Sequence, residues 1–225
     1  MEGYELSPFN LVNDELYKAL GEINKLKRLP WIGKNYYQNR ILILGDSHYA
    51  TNDEAEKEFE DPFSTIETVR SVIKTGPYSF YDGLYKLFNL ETTKRIESFW
   101  SNIAFYNFVQ EVMKSVHEKP SPTNRMEAWQ CLAEVVKVLH PKFILFLGIR
   151  NWFGTHALEK TDVRCELFWD TTRISRTKPA YGKLTTPQED IPFSIIRHSA
   201  MGFNAPLWRE YLQKKVPTIM SYLQS

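Results

Sequence analysis

The architecture of this chain turns on Ile41-Leu42-Ile43-Leu44-Gly45-Asp46-Ser47-His48-Tyr49. Four bulky apolar residues that give way at once to Gly, Asp and Ser do not continue as a helix; they predict a buried strand that stops at a turn. Three further runs share this form, at 103–109, 143–147 and 191–196, each closed by Gly, Asn, Ser or His. Helical patterns fill the gaps. Leu16, Ala19, Leu20, Ile23 and Leu26 lie on one face of an N-terminal amphipathic helix. Ser64 with Glu67 has the form of a capping box ahead of Val69, Val72 and Ile73, and Asn124 with Glu127 repeats it before Trp129, Leu132, Val136 and Leu139, where Pro141 ends the helix. Asn204-Ala205-Pro206 opens a last helix carrying Trp208, Tyr211 and Leu212.

Strand therefore alternates with helix, and parallel neighbours need crossovers that helices supply. The expected fold is a three-layer α/β/α domain around a central, mainly parallel sheet of about four strands, the first of them central. The 225 residues allow a single α/β domain, with residues 1–38 a helical extension packed on a core of 39–225. Apolar residues at 43% and charged residues at 24% match a globular chain and exclude wholesale disorder. With 28 basic and 27 acidic residues the net charge is +1, which removes a protein that coats a polyanion; any nucleic-acid contact must come from a local patch.

Cys131 and Cys165 have no Cys or His partner at metal-ligand spacing, so neither a disulfide scaffold nor a zinc site is expected, and both thiols read as reduced and buried. The opening MEGYELSPFN lacks the basic-then-apolar order of a signal peptide, and no run approaches the roughly 18 apolar residues that span a membrane. The protein reads as cytoplasmic, without a membrane partner. Aromatic residues make up 14%, which implies a bulky core or planar groups available for stacking.

In open α/β sheets ligands bind beyond the carboxyl ends of the strands, so the residues that follow each run carry the functional information. Here they are Gly45-Asp46-Ser47-His48-Tyr49, then Tyr106-Asn107, then Gly148-Ile149-Arg150-Asn151, read as a turn, and finally Arg197-His198-Ser199. Gly-Asp-Ser alone is equally a turn in which Asp caps a helix. Asn107 says more, because a primary amide in a buried strand costs about 1 to 3 kcal/mol unless its donors and acceptor are paired.

Two families share parts of this set. Ile43-Leu44-Gly45-Asp46-Ser47 resembles the nucleophile block of the GDSL serine esterases, with Ser47 as nucleophile and His198 as base, but the residue three before His198 is Ile195 and not the Asp that would orient it. Over residues 38–212 the chain resembles the uracil-DNA glycosylase superfamily. That family places Gly-x-(Asp/Asn/Ala)-Pro-(Tyr/Gly) after its first strand, where this chain has Gly45-Asp46-Ser47-His48-Tyr49. Its base-reading Asn is matched by Asn107, its Pro-Lys-led strand by Pro141-Lys142 through Gly148, and its closing His-Pro-Ser by His198-Ser199 without the Pro.

The resemblance implies a DNA-repair hydrolase of N-glycosyl bonds that needs no cofactor or metal and acts on single- or double-stranded DNA. A non-catalytic descendant that binds a nucleobase-like small molecule is the other reading of the same pocket. On this resemblance Asp46, Ser47 and His198 are the catalytic candidates. Gly45, His48, Tyr49, Asn107 and Ser199 would line the base pocket, and Phe59 or Phe63 would stack on the base. Departures are local: Ser47 stands where better-known members carry an Asp or Asn, and His48 replaces a Pro. Residues 53–61 hold six acids, Asp53, Glu54, Glu56, Glu58, Glu60 and Asp61, against Lys57, a run that would repel phosphate beside the pocket. Residues 171–188 hold Arg173, Arg176, Lys178 and Lys183 without an acid, and this predicted loop is the candidate for DNA phosphates.

Overall fold

All four apolar runs are strands in the structure, a computed structural model that describes residues 9–224 apart from Val12, Thr51, Val116 and Met201. The side chains of Asp53, Glu54 and Ala55 also lie outside the described residues, so the expected acidic helix face is described only from Glu56 on, and the N-terminal extension only from Phe9. In chain order the strands are β1 Trp31–Ile32, β2 Ile41–Gly45, β3 His48–Tyr49, β4 Ile103–Asn107, β5 Val112–Met113, β6 Phe143–Leu147, β7 Arg164–Trp169, β8 Ala180–Thr185 and β9 Asp190–Ile196. The helices are α1 Asp14–Gly21, α2 Tyr36–Asn39, α3 Asp53–Glu58, α4 Ser64–Thr75, α5 Ser79–Phe88, α6 Thr93–Asn102, α7 Pro122–Leu139, α8 Ala205–Lys215 and α9 Pro217–Gln224.

The main sheet has seven strands in the order β1-β4-β2-β6-β9-β8-β7, and β3 pairs with β5 apart from it. The four predicted strands form its parallel centre, β4-β2-β6-β9, with β2 between β4 and β6. The count of about four is corrected to seven by three antiparallel additions: β1 on β4, β8 on β9 and β7 on β8. None of the three is an apolar run. β1 has two residues, and β7 alternates exposed Arg164 and Glu166 with half-buried Cys165 and Leu167, the pattern of an edge strand open on one side. The predicted loop at 171–188 contains β8 for the same reason.

Two helix starts differ from expectation. α7 opens one turn earlier, because Ser121 and Asn124 form the capping box, with Pro122 at the first helical position. Ser64 does not cap α4: it is the first helical residue, Asp61 caps the preceding turn by accepting from the Phe63 N–H at 2.8 Å, and Glu67 pairs instead with Arg70 at 2.7 Å. Asn204 caps α8 as expected, accepting from the Leu207 N–H at 3.3 Å.

Alternation along the strands sends side chains to two faces. On one, Trp129 of α7 packs with Phe146 and Phe193 at 5.3 and 6.4 Å between centroids; on the other, Trp100 of α6 and Tyr81 of α5 meet Phe105 at 5.7 and 6.0 Å. α7 therefore covers one face, and α5 and α6 cover the other. β2 connects to β4 on one side, and β4 then crosses back to β6 on the other side of β2. In open α/β sheets such a reversal, here at the carboxyl end of β2, is where ligands bind.

Candidate functional site

Gly45 and Asn107 are register partners at the ends of β2 and β4. A Cβ on Gly45 would stand 2.0 Å from Asn107 Oδ1 and 3.4 Å from Phe105 Cζ, so only glycine lets the Asn107 amide lie across the strand end. The Asn107 backbone carbonyl accepts from Gln110 Nε2 at 2.7 Å; its half-buried side-chain amide takes no hydrogen bond from the described residues and is not among the fully buried groups left without a partner, so water reaches it. The amide flagged by its place in an apolar run thus has no described loop to answer it.

His198 follows β9 on the same edge. Its Nδ1 accepts the Ala200 N–H at 3.2 Å, which assigns the proton of the neutral ring to Nε2. Burial lowers the ring's pKa and the nearby Asp46 charge opposes that shift, so the ring is neutral at pH 7. Phe80 of α5 lies 5.0 Å from the His198 ring and 6.0 Å from Phe105. Asn107, Phe105, Phe80 and His198 therefore share the α5 face of the strand ends. Ser199 does not present its hydroxyl to this face; it donates to the Phe80 carbonyl at 2.7 Å and ties the loop after β9 to α5.

Asp46 leans to the other face. Its Oδ1 accepts from Arg125 Nη1 of α7 at 3.2 Å, and the same Nη1 donates to Asn151 Oδ1. Arg125 is 4% exposed and Asp46 16% in their side chains, so the pair is largely withdrawn from water. Asn151, expected in a turn, is fully buried, and its Nδ2 has no partner among the described residues. Arg125 is absent from the expected site residues, although its spacing from Ala128, Trp129 and Leu132 places a charge on the apolar stripe of α7, and that was the available signal.

The rest of the first motif separates from this cluster. The Ser47 hydroxyl is buried and makes no hydrogen bond among the described residues; burial raises the Tyr49 hydroxyl pKa and its approach to Ser47 holds that back, without a bond of good geometry between them. No hydrogen bond joins Ser47 to His198. His48 turns inward, its Nε2 3.4 Å from Thr65 Oγ1 and its ring 4.6 Å from Phe59. Burial, reinforced by the Arg28 charge, pushes the His48 pKa down to about 3. Phe59 thus covers His48 and Arg28, and Phe63 packs on the core.

Of the basic candidates, Lys183 sits in β8 away from the strand-end edge, paired with Asp190 at 3.0 Å and Glu166 at 3.3 Å. Arg173, Arg176 and Lys178 lie in the 170–179 connection between β7 and β8, which is on the site's edge because Ala180 pairs with Ile195 near the end of β9. Ser175 of that connection and Phe203, Asn204 and Arg209 after β9 line an open cavity of 590 Å³. Cavities of 430 Å³ beside Gln110 and Asn124 and of 660 Å³ beside Phe59 and Ser71 lie elsewhere, so the candidate site rests on its convergent polar groups and not on cavity size. Among the described residues no cluster of His, Cys, Asp and Glu would hold a metal, and no helix is long and apolar enough to cross a membrane. No protein-family model and no curated protein matches the chain.

Proposed function

We propose that the protein binds a planar nucleobase at the carboxyl ends of β2, β4 and β9 and hydrolyses its N-glycosidic bond in DNA, as the uracil-DNA glycosylases that its motifs resemble do. One observation carries the reading: the half-buried Asn107 amide, which no described residue engages and which Gly45 makes room for, shares a face with a neutral His198 whose donor is Nε2–H. An amide supplies both donor and acceptor to a base edge, and a flipped base needs that pairing together with a ring to lie on. Phe80 takes the stacking role expected of Phe59 or Phe63.

In the reaction the C1′–N bond breaks and the base keeps its electron pair. The sugar becomes an oxocarbenium-like cation, water oxygen adds at C1′, and the water proton neutralises the base. His198 Nε2–H donates to the carbonyl oxygen on which the base anion gathers charge, a contact stronger in the transition state than in the bound substrate. The Asp46 carboxylate offsets the sugar's positive charge, and Arg125 and Asn151 fix where it stands.

Two observations bear on the rivals. A serine esterase needs a base on its nucleophile, and Ser47 has none within bonding distance among the described residues. Binding without catalysis is favoured by Arg125, which offsets the charge of Asp46. Strands and duplexes carrying uracil, hypoxanthine, xanthine or mismatched thymine, followed by alkaline cleavage of abasic sites, separate the readings. Breaks at one of these bases support hydrolysis. Intact strands throughout, with saturable binding of the free bases, would leave only the binding role, and labelling of Ser47 by a fluorophosphonate would move the assignment to the esterase.

A further inference from the structure

The loop that anchors Asn151 continues into residues the proposed site does not use. Trp152 and Phe153 stack at 3.9 Å with their planes 23° apart, and Trp152 meets Trp169, the last residue of β7, edge-on at 5.6 Å. Phe153 is 45% exposed and Trp169 41%, so two large rings, joined through Trp152, offer apolar surface to water. Single exposed aromatics need no explanation, but a connected set at a sheet edge does.

Cations adjoin the set along the chain. Arg150 is exposed one turn before Phe153, and Arg173, Arg176 and Lys178 are exposed in the connection that begins right after Trp169. None of these four takes part in an ion pair among the described residues; the bond of Arg173 to the Arg176 carbonyl is long, at 3.5 Å. The one acid in that connection, Asp170, is buried and already held by Lys215 at 2.7 Å and Tyr211 at 3.1 Å. These four cations therefore carry no ion-pair partner among the described residues, and they flank the rings in the chain, Arg150 before Phe153 and the other three after Trp169.

We infer that this edge is a stacking platform for single-stranded nucleic acid, with unpaired bases on Phe153 and Trp169 and the phosphates along Arg150, Arg173, Arg176 and Lys178. Every base has a π-face, so rings of this kind bind strands with little regard to sequence, while cations beside them follow the backbone. In a duplex the base faces are already covered by one another, and only the cations would find a partner. A second copy of the chain fits poorly, because a two-fold contact through the patch would set the four cations against themselves. The inference rests on the proposed base site in one respect, the path of the strand: Trp152 adjoins Asn151, which holds Arg125 and through it Asp46.

The test uses the full chain and a fluorescein-labelled thymidine strand of about 15 nucleotides, long enough for one such platform, with its duplex as the comparison. Anisotropy should show the strand bound at least about tenfold more tightly than the duplex, Phe153→Ala weakening it about tenfold, Phe153→Leu doing the same for lack of a ring face, and Phe153→Trp retaining it. Replacing Arg173, Arg176 and Lys178 together by Ala should flatten the salt dependence by about 0.7 log units for each phosphate no longer neutralised. Equal affinity for the duplex, or a Phe153→Ala protein that binds the strand like the wild type, overturns the inference. So does a wild-type dimer in sedimentation that Phe153→Ala dissolves. These strands carry only thymine, so loss of base release leaves this result standing, and failure here leaves the base site to its own assay.

Discussion

Replacing His48 by Gln should remove about 2 kcal/mol of pH-dependent instability between pH 7.5 and pH 5. The native ring titrates at about 3 instead of 6.5, because it is buried against Phe59 and Thr65 and faces the Arg28 charge. The unfolded chain takes up a proton on this ring below pH 6.5 and the native chain does not, so stability is full above pH 6.5 and falls as the pH drops toward 3. At 1.36 kcal/mol per pH unit the loss at pH 5 is about 2 kcal/mol, and it stays there for any native value below about 4. Urea unfolding of wild type and His48→Gln at both pH values gives four free energies. The difference between the proteins should shift by about 2 kcal/mol toward the variant on going to pH 5, whatever the amide itself costs. His198 is common to both proteins and cancels. A difference that is the same at both pH values would mean that His48 faces water or a ligand cleft, as the motif alone suggests, and not the underside of α4.

Asp170→Asn should cost about 2 kcal/mol near pH 6, since burial alone would raise its pKa but Lys215, the Thr172 N–H and Tyr211 bring it down to about 2 from 3.8; this stability is present above pH 3.8 and vanishes as the pH falls through 2, which acid unfolding of the two proteins will show. Gly45→Ala should change stability by less than about 1 kcal/mol, because the added methyl meets the end of a movable side chain, yet it should abolish base binding by displacing Asn107, as titration with free bases will read. If base release is detected, His198→Ala should slow it by about 10² to 10³, the scale of one lost oxyanion donor. Asn107→Asp should change which base is accepted, since a carboxylate has no donor to offer, while Asn107→Ala should mainly weaken binding; competing substrates in one tube report both.

The parallel centre of the fold was legible because its strands are mostly buried on both sides and therefore read as apolar runs, interrupted in β9 only by Pro192 and Ser194: Phe143–Leu147 keeps its predicted bounds and Ile191 to Ile196 gains only Asp190. The added strands were not, because β8 owes its place to pairing with β9, and β7 to pairing with β8, and not to local pattern; a half-exposed Arg164–Trp169 looks like loop until its partner is known. Helix starts failed for a similar reason, by one residue at α4, where Ser64 is the first helical residue, and by a turn at α7, where Ser121 and not Asn124 is the cap. Several Ser, Asn and Asp residues compete for each cap, and the winner is set by how the preceding loop leaves the core.

The site divides along the same line. That Asp46, Asn107 and His198 lie on one edge follows from a general rule about parallel strands and needed no coordinates. What each can do depends on which face it takes, and that is a matter of one residue of alternation. Gly45 and Asn107 fall on the α5 side, so the amide meets Phe105, with His198 beside Phe80. One step further, Asp46 falls on the α7 side, where Arg125 and Asn151 await it. The chain thus divides its polar groups across the sheet, an open amide and a neutral imidazole on one face and a fixed charge pair on the other. The C1′–N bond of a bound nucleoside is the place where base and sugar part, and a base lying on the α5 side with its sugar toward Asp46 would set that bond over the end of β2. Ser47 and His48, next in the motif, lie past this point and turn into the core, which is why a hydroxyl and an imidazole that promise chemistry in the sequence have no reacting partner among the described residues.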